Sequence, residues 1–179
     1  MEWNKTMIEL IEPSKEYEME ILGYKSEFQV NSENLHGSSG LKNAINIDEW
    51  ISHIIKNSKD ETAKEGIVPS STYLAVRLVD NKVIGMVNIR NYLNEYYLQF
   101  GGHIGYSVRK SERNRGYGKQ ILTNTLEKCK ERNILKVLIT CDKNNIPSEK
   151  TIISNGGILE NEVKKGENII QRYWISLRN

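Results

Sequence analysis

Two hydrophobic periods share this chain and take turns along it. Met7 to Ile11 reads as a first strand, stopped by Pro13 and Ser14. Ser14 is placed to cap a helix over about 15–28 that carries Tyr17, Ile21, Tyr24 and Phe28 on one face. A polar stretch from Asn31 to Gly40 follows, rich in Ser, Asn and Gly. It reads either as a plain surface loop or as the rim of a substrate site. Asp48 then caps a second helix with Trp50, Ile51, Ile54 and Ile55 as its apolar face. A charged connection, Lys56 to Gly66, leads to strands at Thr72 to Val79 and Lys82 to Arg90, joined at Asp80 and Asn81 as a hairpin. Residues 91–101 form an aromatic linker with Tyr92, Tyr96, Tyr97 and Phe100, read as core packing or as a wall of a substrate pocket. Strict alternation returns at Ile104, Tyr106 and Val108, and helical spacing at Ile121, Leu122, Thr125, Leu126 and Cys129. Leu135 to Cys141 is a near-continuous apolar run, as an interior strand requires. Pro147 suits the first turn of one more helix. Segments 158–163 and 169–177 close the chain as a hairpin. The order predicts an α/β fold with a mixed sheet.

Composition narrows the classes. The 179 residues favour a single domain over 1–179, with 1–66 as a strand plus helical region ahead of a core over 72–177. A content of 38% hydrophobic and 27% charged residues is ordinary for a soluble protein, and a chain this long builds a core without staples. A formal net charge of +2 gives no argument for nucleic acid or an anionic membrane. No apolar run approaches the ~20 residues of a spanning helix. The opening Met1 to Lys5 lacks the shape of an export signal, so a cytoplasmic location is expected. Cys129 and Cys141 fall in a helix and a strand and read as reduced core thiols.

The chemistry concentrates where the strand at 103–108 gives way to the helix after Gly118. Arg113, Asn114, Arg115, Gly116, Tyr117, Gly118 and Lys119 lie at this handover. Free backbone N–H groups and the positive end of the helix dipole make such a place an anion site, usually for phosphate. Arg113, Arg115 and Lys119 would add mobile charge. A magnesium-binding P-loop is excluded because Gln120, not Ser or Thr, follows Gly118-Lys119. The dinucleotide fingerprint is excluded because Ile121 stands where its third glycine is needed. What remains, Arg-x-x-Gly-x-Gly from Arg113 to Gly118, is by itself a weak pattern.

This loop, after a strand ending Tyr106-Ser107-Val108, resembles the acetyl-CoA site of the GNAT (GCN5-related N-acetyltransferase) family. A second strand leading to Asn145-x-x-Ser148 and a helix closing at Gly156-Gly157 extends the resemblance over roughly 72–177. Gly157 stands where that family usually has Phe. The resemblance implies a mostly antiparallel central sheet of about seven strands with about four flanking helices. That sheet would be split between the strands at 103–108 and 136–141, with the cofactor's pantetheine arm completing the ladder in the gap. It implies acetyl transfer from acetyl-CoA, as co-substrate and without a metal, to a primary amine of a small molecule or peptide. The main chain of 115–119 would hold the pyrophosphate. Tyr106 and Val108, flanking Ser107, would meet the thioester carbonyl and the pantetheine, and Asn145 would touch the pantetheine or cap its helix.

Proton traffic is less determined. His103 is a candidate base because its titration range suits proton removal, and a lone strand histidine is also commonly structural. Glu95, Glu27 and His36 are poorer candidates. The family's acid, a tyrosine seven residues after Asn145, is replaced here by Ile152, and Ser148 is the remaining hydroxyl offered to the sulfur. This gap keeps open a transferase of another acyl length or a weak CoA-binding sensor, and the basic loop keeps open a non-enzymatic module that binds phosphorylated ligands. The acceptor has no readable code. The last hairpin offers a homodimer surface, since Tyr173 and Trp174 point to opposite faces and one needs cover.

Overall fold

A computed structural model of the chain describes residues 7–177, so the opening segment read above for export lies outside the described residues. Among the described residues seven strands and four α-helices form, in the order the two periods predict. Strands β1 (Ile8–Ile11), β2 (Ser70–Arg77), β3 (Lys82–Arg90) and β4 (Ile104–Val108) make one antiparallel sheet in that order. Strands β5 (Lys136–Asp142), β6 (Ile158–Lys165) and β7 (Asn168–Ser176) make a second, ordered β5-β7-β6. The helices are α1 (Glu18–Val30), α2 (Ile47–Lys56), α3 (Tyr117–Glu131) and α4 (Ile146–Ser154). The break between the two sheets falls between β4 and β5, as expected.

Both faces of the first sheet are covered. Ile21, Tyr24 and Phe28 of α1 and Trp50 and Ile54 of α2 pack on Leu74, Val76, Val83 and Met86. On the opposite face Ile84, Val87 and Ile89 join Ile121 and Leu122 of α3. That second core continues under β5 and β7 through Val137, Ile139 and Tyr173, so apolar packing, not a ladder, unites the two sheets. A register shift between Ala75 and Val76 leaves Ile84 without an opposite residue, which resets the alternation of β3. This is why Lys82 to Arg90 carries apolar residues without a simple period. No helix among the described residues is long and apolar enough to cross a membrane.

Local signals misplaced two caps. Asn46, not Asp48, caps α2: its Oδ1 accepts the Glu49 N–H at 2.8 Å, while Asp48 pairs with Lys15 at 2.7 Å. The apolar face of α2 moves accordingly, with Ile47 buried and Ile55 exposed. Ser14 makes no side-chain cap, and the chain enters α1 through a 3-10 turn at Lys15–Tyr17. The 31–40 stretch is more than a surface loop. Trp50 Nε1 donates to Ser38 O at 2.8 Å, and Ser107 Oγ donates to His36 O at 2.6 Å. The aromatic linker ends in a π-helical turn, Tyr97–Gly101. Tyr173 is buried and Trp174 is half-buried: its indole donates to Glu160, and Lys136 lies over its ring.

Candidate functional site

The site begins with a parity. Arg90 N donates to His103 O at 2.8 Å and Arg109 N to Ile84 O at 2.9 Å, and the register between them pairs Asn88 with Gly105 and Met86 with Ser107. Odd-numbered residues of β4 therefore spend their backbone groups on β3. Ile104, Tyr106 and Val108 turn theirs the other way, toward β5. There β4 finds a partner only at its start. His103 N donates to Leu138 O at 2.7 Å, and Leu138 N donates back to His103 Nδ1 at 3.0 Å. Beyond this point β4 and β5 form no ladder. The main-chain donors of Tyr106 and Val108 face an open gap.

The bend after β4 supplies a second row of donors. Gly116 precedes α3 in the left-handed region (φ 81°), and no side chain caps the helix. The N–H groups of residues 114–119 find no acceptor among the described residues, and Gln120 is the first to be paired, with Gly116 O at 3.3 Å. An added Cβ at Gly116 would meet nothing within 4 Å, so this face of the bend is open to a ligand. Asn114 shares the left-handed conformation (φ 62°), and successive main-chain donors curve into a concave nest.

Charge around the bend is arranged differently from the expectation. Arg113 is not mobile: its guanidinium forks onto both oxygens of Glu33 and donates to Val108 O at 3.0 Å. Arg115 donates to Glu112 at 3.1 Å. Glu112 is buried and also receives Arg77 at 2.9 Å and Lys82 at 2.7 Å. Burial pushes its carboxyl up, but Lys82 and Arg77 outweigh that and hold it below the ordinary carboxylate range. On the other side Arg109 is buried against α1, donating to Glu27 at 2.9 Å and to Val83 O at 3.0 Å. Of the three expected cations, Lys119 is exposed and without a partner among the described residues.

The remaining predicted positions divide. Ser107 faces away from the gap, bonded to His36 O and 2.9 Å from the Tyr24 hydroxyl. Tyr117 buries its ring and accepts from Arg77 at 2.9 Å, leaving only its N–H to the bend. Asn145 caps α4, its Oδ1 accepting the Ser148 N–H at 3.2 Å. His103 is buried; burial, with Arg90 nearby, pushes its imidazole down to about 4. Its Nδ1 lone pair is already occupied by Leu138 N–H, so a neutral ring carries its proton on Nε2. Ile152 is fully buried in the core, and Gly157 leaves it room: a Cβ at 157 would lie 2.9 Å from Ile152 O. Glu27 is occupied by Arg109 and Ser111, and Glu95 is exposed. Cys129 and Cys141 are buried free thiols, as expected, pushed up by burial to about 12 and about 11.

One group escaped the sequence reading. The Tyr106 hydroxyl lies 3.1 Å from Ser148 Oγ and joins β4 to the first turn of α4. Burial pushes the phenol up, so it keeps its proton at neutral pH. The strand alternation marked Tyr106 as inward-facing, but nothing local to it indicated that α4 would stand opposite.

The fold and the bend define an α/β protein with two rows of main-chain donors, on one strand and one bend, meeting at a split in its sheet. The acetyltransferase (GNAT) family model matches residues 43–152, more than half the chain, and this protein belongs to that family. It is an acetyltransferase enzyme that uses acetyl-CoA. No curated protein matches the chain significantly. Solved structures share the fold at low identity. The microcin C7 self-immunity acetyltransferase MccE, in complex with acetyl-CoA and AMP, is 17% identical; the match covers 95% of this chain and 92% of that one, with a TM-score of 0.66. An acetyl transferase from Salmonella typhimurium that modifies the N-terminal serine of ribosomal subunit protein L7/L12 is 18% identical, with 97% and 96% coverage and a TM-score of 0.66. A GNAT-family acetyltransferase from Bacillus anthracis is 17% identical, with 96% and 97% coverage and a TM-score of 0.64.

Proposed function

We propose that this enzyme acetylates a primary amine of a small molecule or peptide by direct attack on acetyl-CoA held between β4 and β5. The supporting observation is the convergence of two unpaired donor rows, Tyr106 with Val108 and the 114–119 bend, on one gap. The bend holds the pyrophosphate, with Lys119 beside it. The N–H groups of Tyr106 and Val108 hold the pantetheine and the thioester carbonyl, as an added strand would be held. A donor aimed at that carbonyl stabilises the oxyanion formed on attack.

The amine nitrogen attacks the carbonyl carbon and loses a proton to water; the C–S bond then breaks. The Tyr106 hydroxyl supplies the proton the leaving thiolate takes up, and Ser148 orients it. Tyr106 thus performs the task left vacant at Ile152, which removes the main reason for preferring a sensor. His103 positions β4 against β5 and is not the base in this reading. Arg113, Arg115 and Asn145 shape the site rather than touch the cofactor, and Ser107 has no part in it.

Gly116→Val tests the reading. A β-branched residue is strained in the left-handed region and projects over the donor nest. Acetyl-CoA affinity should fall at least ~100-fold, about 2.7 kcal/mol, while the circular dichroism spectrum is retained. Unchanged affinity in a folded variant refutes the assignment of the bend.

A further inference from the structure

On the α2 side of the first sheet, a cavity of about 180 Å³ opens between α2, β2 and β3. Its rim includes Gly37, and this residue fixes where the cavity lies. A Cβ added at Gly37 would come within 2.6 Å of Gly105 O and 2.9 Å of Tyr106 Cα. The 36–40 segment therefore rests directly on the β4 backbone, beside the residue whose main chain faces the gap. Gly37 is required for this approach, whereas a Cβ at Gly105 would meet the Gly37 backbone at 3.4 Å, an ordinary contact.

The walls are polar without being acidic. Asn88 Nδ2 donates to Ser39 Oγ and Ser70 Oγ, each at 2.9 Å, and Ser39 Oγ lies 2.8 Å from Thr72 Oγ1. None of the residues lining the cavity is Asp or Glu. One lining residue carries a permanent charge, Arg90. Its guanidinium stacks on Tyr97, 4.0 Å from the ring centroid, and Nη1 donates to Gly102 O at 3.0 Å. Nη2 lies 3.9 Å from where a Gly105 Cβ would be, and Nε and Nη2 have no partner among the described residues. Stacking and the Nη1 bonds to Gly101 O (3.4 Å) and Gly102 O fix the plane of the guanidinium. Two donors remain in the fork geometry that suits a carboxylate or phosphate.

We infer that this cavity seats the acceptor, and that the acceptor is a small primary amine carrying an anionic oxygen group, a carboxylate or a phosphate, held by Arg90 while its amine points to the thioester at Tyr106. This rests on the proposed acetyl transfer at β4. A polycationic acceptor would place a second positive charge near Arg90 with no carboxylate among the lining residues to receive it. An anionic group meets one unpaired fork and a set of neutral hydroxyl and amide groups. Arg90 and Tyr106 approach β4 within one or two residues of each other, about 4–7 Å along an extended strand. The amine and the anionic group therefore belong to one small molecule.

The experiment measures thiol release from acetyl-CoA by the full chain with four classes of amine: the common amino acids, aminoalkyl phosphates, neutral aminoalcohols and polyamines. At least one anionic class should exceed its neutral counterpart at least tenfold in kcat/KM. Comparing the first two classes distinguishes carboxylate from phosphate. Arg90→Gln should reduce that advantage to within twofold. Arg90→Lys, which keeps the charge and loses the fork, should retain an intermediate advantage and serves if the Gln variant does not fold. Preference for neutral or polycationic amines, no turnover of either anionic class, or an advantage that survives Arg90→Gln overturns the inference. The melting shift of the unmutated protein with acetyl-CoA separates the two readings. Without a shift the acetyl-CoA assignment itself fails; with a shift but the wrong amine preference, only the acceptor inference fails.

Discussion

The bend at 109–119 and the cavity beside Arg90 are held by opposite means. The bend is pinned by ion pairs whose partners come from far along the chain: Glu33 for Arg113, Glu27 for Arg109, and Arg77 and Lys82 for Glu112. The cavity is built from neutral hydroxyl and amide bonds among Ser39, Ser70, Thr72 and Asn88, with one guanidinium partly free. The difference separates two uses of positive charge. Around the bend most cations are neutralised locally, so they fix main-chain shape and leave recognition to N–H groups. In the cavity the charge itself is available for recognition. Counting arginines near a glycine loop therefore overstates how many reach a ligand.

Breaking the charged side should have the largest effect. Glu112→Gln removes the buried anion on which Arg77, Lys82 and Arg115 converge, leaving the half-buried Arg77 and Lys82 underpaired. Breaking a buried pair in this way costs about 3–5 kcal/mol, read as a lower urea midpoint at unchanged slope. A loss under about 1 kcal/mol would put this cluster in the class of surface pairs and remove the contrast.

A smaller effect probes the seam between the sheets. The unfolded chain protonates His103 near pH 6.5, while burial and Arg90 hold the folded imidazole down at about 4. In that window the unfolded state binds more protons, so stability rises with pH. It should be level above about pH 6.5 and fall as pH drops toward 4, by up to about 3 kcal/mol. His103→Asn, which can still accept from Leu138 N–H, should flatten the pH dependence between those limits. An unchanged slope in the variant would show that the seam does not exclude the imidazolium.

The third test sharpens the chemistry on the cofactor side. Tyr106→Phe leaves the ring and the strand but removes the hydroxyl. We expect kcat to fall about 100-fold, with acetyl-CoA affinity within about twofold. Unimpaired turnover would mean the thiolate departs without this proton.

The elements were legible because each rests on a short-range period or turn signal: the β2–β3 hairpin ends at Lys82 and Arg90 as read, and Asn81 takes the left-handed turn conformation at φ 53°. The open donors at Tyr106 and Val108 were legible for a similar reason, since resemblance supplied the split and strand parity does the rest. What local pattern cannot carry is partnership across the chain. Arg113 read as mobile because Glu33 lies 80 residues away, and Ser107 read as part of the site because His36 lies 71 residues away. The same blindness hid the Tyr106–Ser148 contact, 42 residues apart, and made the 31–40 stretch resemble an idle loop. The cap of α2 failed differently: Asn46 and Asp48 are both good caps, and only the backbone distinguishes them, extended at Asn46 (φ −148°, ψ 171°) and already helical at Asp48.

With acetyl-CoA seated between β4 and β5 as proposed, the protein's durability would follow the supply of its co-substrate. A ligand occupying that gap favours the folded chain by RT ln(1 + [L]/Kd), about 2.7 kcal/mol at a concentration 100 times Kd. Well-nourished cells would then keep this enzyme longer than starved ones, with no change in its synthesis, because the same molecule that feeds the reaction also shields the catalyst from degradation.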